Sequence, residues 1–210
     1  MKSWYFSGGY YGETSTLKLI TFGGKEKTYQ AWNGVSVENL AINRRFNELG
    51  VYFDADGKMQ YYDNQTDNYS QTHYQLHWLQ RLSSSFNLNV AAHYTRGIGY
   101  YEDYKQDRKY AEYGITPPVV NGTALKKTDL VRQKWLDNHF AGLTWSLNYT
   151  GNAWSASLGG AVNRYDGDHF GKITWVRNAS DLNIGKEWYR NNGVKDDANV
   201  YAKITAEILP

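Results

Sequence analysis

The chain has 210 residues, with 23 Lys and Arg against 21 Asp and Glu, and no cysteine, which excludes disulfide frameworks, thiolate metal sites and cysteine nucleophiles. A formal net charge of +2 with no run of five like charges carries no nucleic-acid footprint, and no nucleic-acid partner is expected. Aromatic residues make up 16%, including 19 Tyr and 8 Trp, which is more than a soluble core needs and suits surfaces where an apolar phase meets a polar one.

No apolar run is long enough for a membrane helix, and the first thirty residues hold no apolar run of signal-peptide length. Strands that cross a membrane leave no such mark, because their lipid-facing and water-facing residues alternate. Alternation of this kind is the dominant pattern of the chain. It predicts a first strand over Trp4 to Tyr11 and a second over Leu17 to Phe22, joined by a turn at "YGET", residues 11–14. A long polar and aromatic excursion follows, near 33–70. Inside it, "VENLAINRRFNELG" (37–50) places Leu40, Phe46 and Leu49 ahead of a glycine stop and predicts a short helix. "DADG" (54–57), flanked by "VYF" and "MQYY", reads as a hairpin turn, since Lys58 stands where an EF-hand loop needs a further oxygen ligand.

The third strand sets Tyr74, Leu76 and Trp78 against His73, Gln75 and His77, and "SSS" (83–85) turns the chain. In the fourth, Phe86, Leu88, Val90, Ala92 and Tyr94 oppose Asn87, Asn89, Ala91, His93 and Thr95, and the strand can run to about Tyr104. After a second excursion near 100–136, the fifth strand sets Leu143, Trp145, Leu147 and Tyr149 against Thr144, Ser146, Asn148 and Thr150. "TGNA" (150–153) leads to a sixth strand over Trp154 to Val162, and a third excursion near 165–197 leads to a seventh. There Val200, Ala202, Ile204, Ala206 and Ile208 oppose Tyr201, Lys203, Thr205 and Glu207.

Short and long links therefore alternate strictly, the plan of an outer-membrane barrel with short periplasmic turns and long external loops. Tyr10, Tyr11, Phe86, Tyr149 and Trp154 lie beside the short turns, and Tyr29, Trp32, Tyr69, Tyr100, Tyr101, Trp135 and Tyr165 lie toward the long links. The expected fold class is all-β: an antiparallel up-and-down transmembrane β-barrel segment of about seven long strands, open rather than closed. Bacterial barrels have even strand numbers from about 8 upward. A chain that begins in strand-like sequence and stops at Pro210 reads as a piece of a larger wall.

"GKEKTYQAWNGV" (24–35), "DNYSQTHYQLHW" (67–78), "LNVAAHYTRGIGYYEDYK" (88–105) and "LVRQKWLDNHFAGLTWSLNYT" (130–150) resemble the barrel of TonB-dependent outer-membrane receptors, in particular those of Bacteroidetes-type bacteria. The resemblance covers nearly the whole chain. It implies a 22-stranded barrel closed by a plug, residence in the bacterial outer membrane, and import of a scarce ligand such as a ferric siderophore, haem or cobalamin. Residues 1–210 would then be a partial barrel domain without the plug. The implied partners are outer-membrane lipid, that small-molecule ligand, and TonB through N-terminal parts that this sequence does not contain.

Tyr and Trp in long links offer rigid contact area with a polar handle, which suits capture of a ligand from water. The candidate ligand-binding residues are Trp32, Arg44, Arg45, Tyr61, Tyr62, Tyr100, Tyr101 and Tyr104. His73 and His77 stand ~13 Å apart along a strand and cannot share an ion. His77 and His93 become neighbours on one hairpin and read as water-facing polar residues. Glu102 with Asp103, and Asp196 with Asp197, are adjacent in sequence rather than opposed across a cleft. No enzyme activity, metal or cofactor is expected. The five N-x-S/T sequons, at Asn64, Asn68, Asn121, Asn148 and Asn178, discriminate nothing in a bacterial protein. The rivals are a soluble, secreted carbohydrate-binding β-sandwich and a passive porin.

Overall fold

The computed structural model describes residues 1–179 and 185–207. In chain order its elements are β1 (Lys2–Tyr11), β2 (Ser15–Tyr29), helix α1 (Val37–Ile42), β3 (Val51–Phe53), β4 (Met59–Tyr61), β5 (Thr66–Arg81), β6 (Phe86–Lys109), a 3₁₀ turn (Tyr110–Tyr113), β7 (Val119–Val120), β8 (Thr123–Ala124), β9 (Lys127–Thr150), β10 (Trp154–Val176) and β11 (Glu187–Ala206). Seven of the strands make one antiparallel sheet, in the order β1-β2-β5-β6-β9-β10-β11. Each pairs with its neighbours in sequence, and β1 and β11 are the free edges of an open sheet. β3 with β4 and β7 with β8 form two small hairpins in the links.

The register carries the alternation of each strand across the whole sheet. Val90 stands opposite Trp78 on one side and Trp145 on the other, and Leu147 stands between Leu88 and Leu158. Continued outward, the same face holds Tyr10, Phe6 and Trp4 of β1, Leu17 and Leu19 of β2, and Val200, Ala202 and Ile204 of β11. The partners share a face because direct cross-strand neighbours point the same way. This apolar face is exposed along its length: Phe6 is 60% accessible, Leu19 43%, Leu158 45% and Ile204 74%. Ile208 lies outside the described residues.

The face has two borders. At the short-turn rim Phe86, Tyr149 and Trp154 stack in series, with ring centroids 5.0 and 4.3 Å apart. Toward the other rim Tyr74, Tyr94 and His139 stack at 6.2 and 6.0 Å. Beyond them the same face turns charged, with Arg96 held by Asp137 at 2.8 Å, Arg164 by Asp196 at 3.7 Å and Arg190 by Asp168 at 2.6 Å. From Phe86 to Tyr94 the strand advances about 26 Å, less once strand tilt is allowed for. The reverse, polar face carries His77, Asn89, Thr144, Ser146, Asn199 and Tyr201 around a shallow depression of about 480 Å³.

The short turns fall where the alternation predicts, at 12–14, 82–85 and 151–153. The long links are shorter than predicted. They run 30–65, 110–126 and 177–186 instead of 33–70, 100–136 and 165–197, because the strands continue past the point where apolar alternation stops. On the extended part of the polar face, bare glycines let aromatic rings lie against backbone: Tyr69 covers Gly97 and Gly99, where a Cβ would collide with its ring. Charged and aromatic residues mix on both faces there, so periodicity is lost while the hydrogen-bonded ladder persists.

The helix is also shorter than its sequence suggests, ending at Ile42 rather than near Gly50. Ser36 caps its start, and the Asn43 side chain then accepts from the amide of Arg45, a local bond that competes with another helical turn. The "DADG" hairpin forms as read: Asp54 accepts from the amides of Asp56 and Lys58, and Gly57 takes a positive φ of 75°. The two-layer sandwich does not form, since all seven long strands lie in one sheet.

Candidate functional site at the long-link rim

Buried hydrophobic residues among those described are Tyr110, Tyr113, Ile115, Leu130, Val131, Phe170 and Ile173, all near the rim of the long links. The 3₁₀ turn folds Tyr110 and Tyr113 onto Leu130 and Ile173, with Trp188 edge-on to Tyr113 at 5.2 Å. The apolar face below has no such cover.

Two neighbouring carboxylates organise this rim by pointing in opposite directions. Glu102 shares the face of the apolar band, where it accepts from Tyr62 Oη at 2.5 Å, Asn64 Nδ2 at 2.5 Å and Gln133 Nε2 at 2.7 Å. Asp103 faces the polar side and accepts from Arg132 through Nε and Nη2 at 3.1 and 3.0 Å, from Gln65 Nε2 at 3.0 Å, and lies 3.6 Å from Lys105 Nζ. Gln30 and Gln65, both about 1% exposed, close the gap between them: Gln30 Nε2 donates to the carbonyls of Thr66 and Glu102, and Gln65 Oε1 accepts from the amide of Tyr104. The first link is thereby fastened at both ends to β6. Every buried acceptor in this knot has a donor, so the knot ties the first link to the sheet without leaving an orphaned polar group.

The predicted site residues separate into three places. Tyr62 and Tyr104 come together at 5.8 Å, with Tyr52 and Trp175 stacked on Tyr104 at 4.5 and 6.1 Å. Their hydroxyls are committed, Tyr62 to Glu102 and Tyr104 to Asp129 at 2.6 Å, so this pair is a packing joint. Tyr100 packs on Trp135 at 4.4 Å on the same side of the sheet. Only Trp32 and Tyr101 meet at the polar face, edge to face at 4.9 Å, with Lys134 Nζ 5.9 Å from the Tyr101 ring. Trp32 is 56% exposed there. Tyr61, Arg44 and Arg45 are exposed on the first link, apart from these groups.

Burial, then the Asp103 carboxylate, pushes the Tyr101 phenol above its ordinary range. Tyr62 is raised further, first by burial and then by its hydrogen bond to Glu102. A raised phenol pKa means the folded chain favours the neutral form: the stabilisation is complete below pH 10 and is lost as pH climbs through the folded value. Tyrosinate absorbance should therefore show Tyr62 titrating late, alongside Tyr104, which burial and its bond to Asp129 raise as well, and Tyr62→Phe should reduce that late component. Ionisation of Tyr62 near pH 10 would contradict the bond to Glu102.

Lys134, Arg132 and Trp188 were not among the predicted residues, because they lie where the strands outrun the alternation. Strand parity counted on from Leu143 would have put Lys134 and Arg132 on the polar face. The histidines bind locally: His73 Nδ1 bonds Thr95 at 2.9 Å and His93 Nε2 bonds Asn163 at 3.0 Å. No group of three potential metal ligands occurs among the described residues. No protein-family model matches the chain, and no curated protein matches its sequence.

Proposed function

We propose that this chain is wall and mouth of a TonB-dependent outer-membrane receptor, a transmembrane barrel that takes up a scarce ligand such as a ferric siderophore, haem or cobalamin. The observation that carries the reading is the exposed apolar face, unbroken over seven strands and bordered by aromatic rings at both ends. A wall in lipid needs an apolar band of about 25 Å between aromatic girdles, and this face matches that pattern. Hydrocarbon covers the band, the short turns face the periplasm, and the polar face lines the lumen. Trp32, Tyr101 and Lys134 meet the ligand at the mouth. The wall itself performs no chemistry.

The test uses single-tryptophan versions of the chain in bilayers whose acyl chains carry bromine, a contact quencher. Trp78 and Trp145, on the apolar face, should be quenched, and Trp188, in the rim cluster, should not. Equal quenching at all three would sink the membrane reading. Titration of the same bilayers with ferric siderophore, haem and cobalamin should dim Trp32 with one of them. If none does, the receptor part of the reading falls and the wall remains.

A further inference from the structure

We propose that the face of β1, β2 and β5 just above the apolar band binds the phosphorylated headgroup of an outer-leaflet lipid. Lys2 and Lys25 stand directly opposite each other across the β1–β2 pair, and Lys27 follows one step further on the same face. Like charges directly opposite on a sheet repel and destabilise it. None of the three has a carboxylate within ion-pair distance among the described residues; Lys27 donates instead to Asn64 Oδ1 at 2.6 Å. Glu26, between two of them, alternates to the polar face.

The contrast with the rest of this height on the sheet is what assigns the site. Across β6 to β11 each arginine of the charged belt is matched by an aspartate, Arg96 by Asp137, Arg164 by Asp196 and Arg190 by Asp168. The arginines of the belt are neutralised there and the further cation Lys172 lies over the Trp135 and Phe170 rings, whereas the three lysines of β1 and β2 gather with neither an acidic partner nor a ring beneath them among the described residues. Those lysines line a depression of about 490 Å³ together with Asn68, Ser70, Tyr100 and Trp135. Ser70 and Asn68 are the register partners of Lys25 and Lys27, which places hydroxyl and amide donors beside the ammonium groups. Lys2 is two residues, about 7 Å, beyond Trp4 at the border of the band. A phosphate anchored to acyl chains sits at that level when the chains lie along Trp4, Phe6 and Tyr74.

The inference rests on the membrane reading, and the experiment keeps the two apart. The whole chain in detergent micelles is titrated with phosphatidic acid, with phosphatidylcholine and with inorganic phosphate, and bound lipid is counted by native mass spectrometry. Phosphatidic acid should be retained in preference to phosphatidylcholine. Lys25→Gln with Lys27→Gln should weaken that binding about 30-fold, at roughly fivefold per lysine near a charged surface. Lys18→Gln, on the polar face opposite His77, should leave it unchanged. Equal retention of both lipids, an unaltered double variant, or full displacement by inorganic phosphate would overturn the proposal. Bromine quenching of Trp78 in the double variant reports whether it still inserts: unquenched wild type sinks the membrane reading, whereas quenching without lipid preference sinks this inference alone.

Discussion

Trp145→Arg should prevent the chain from entering a bilayer, while Ser146→Arg, one residue away, should be tolerated. Trp145 sits mid-height on the apolar face between Val90 and Gly160. An arginine at the middle of a lipid-facing strand costs about 2–4 kcal/mol, enough to shift most of the population out of the membrane. Ser146 points the other way, beside Asn89 and the open depression of the polar face, where an added guanidinium remains in water. Flotation of the chain with lipid vesicles separates the outcomes. Equal loss in both variants would mean that the two faces do not meet different phases.

Arg132→Met should loosen the long-link rim without touching the band. The Asp103 side chain is only 5% exposed and receives two bonds from Arg132, which also donates to Tyr113 at 3.0 Å. Removing one partner of a buried pair leaves the other charge uncompensated, with a loss of about 3 kcal/mol or more. Lys105, 3.6 Å from Asp103, is held below its ordinary pKa mainly by burial and is poorly placed to take over. Hydrogen exchange should quicken in 30–65 and 110–126 and stay slow in β6 below Tyr94. Adding Asp103→Leu should slow it again, because replacing a whole buried pair is far milder than halving it. Unchanged exchange in Arg132→Met would show that the knot does not hold the links.

The band was legible in the sequence because one physical demand repeats there. Leu88, Val90, Leu143, Trp145 and Leu147 recur with a period of two wherever one side of a strand is apolar and the other wet. Above Tyr94 that demand ends. Arg96, Asp137, Asp166 and Asp168 lie on the same face as the leucines, so alternation fades although β6, β9 and β10 continue. Glycines covered by Tyr69 then do the packing that leucine does below, and composition alone reads Gly97 and Gly99 as a break. The arrangement of the candidate residues was hidden for a related reason. Glu102 and Asp103 look like neighbours in a loop, but on a strand they are sent to opposite faces. Tyr62 and Tyr104 look like free rings because nothing local shows that Glu102 and Asp129, far away in sequence, already hold their hydroxyls. Trp32 and Tyr101 do meet, on the polar face, but only the fold brings the first link over β6.

The unequal links bear on how such a protein can change over generations. One residue added at 12–14, 82–85 or 151–153 would slip a hairpin by one step and turn its leucines onto the polar face, so that margin is frozen. Residues added between β2 and β5 or between β6 and β9 disturb no ladder, and loop closure grows only slowly with length. Innovation can therefore accumulate on a single rim, and lineages sharing this sheet are free to diverge in their long links while keeping one ladder of strands.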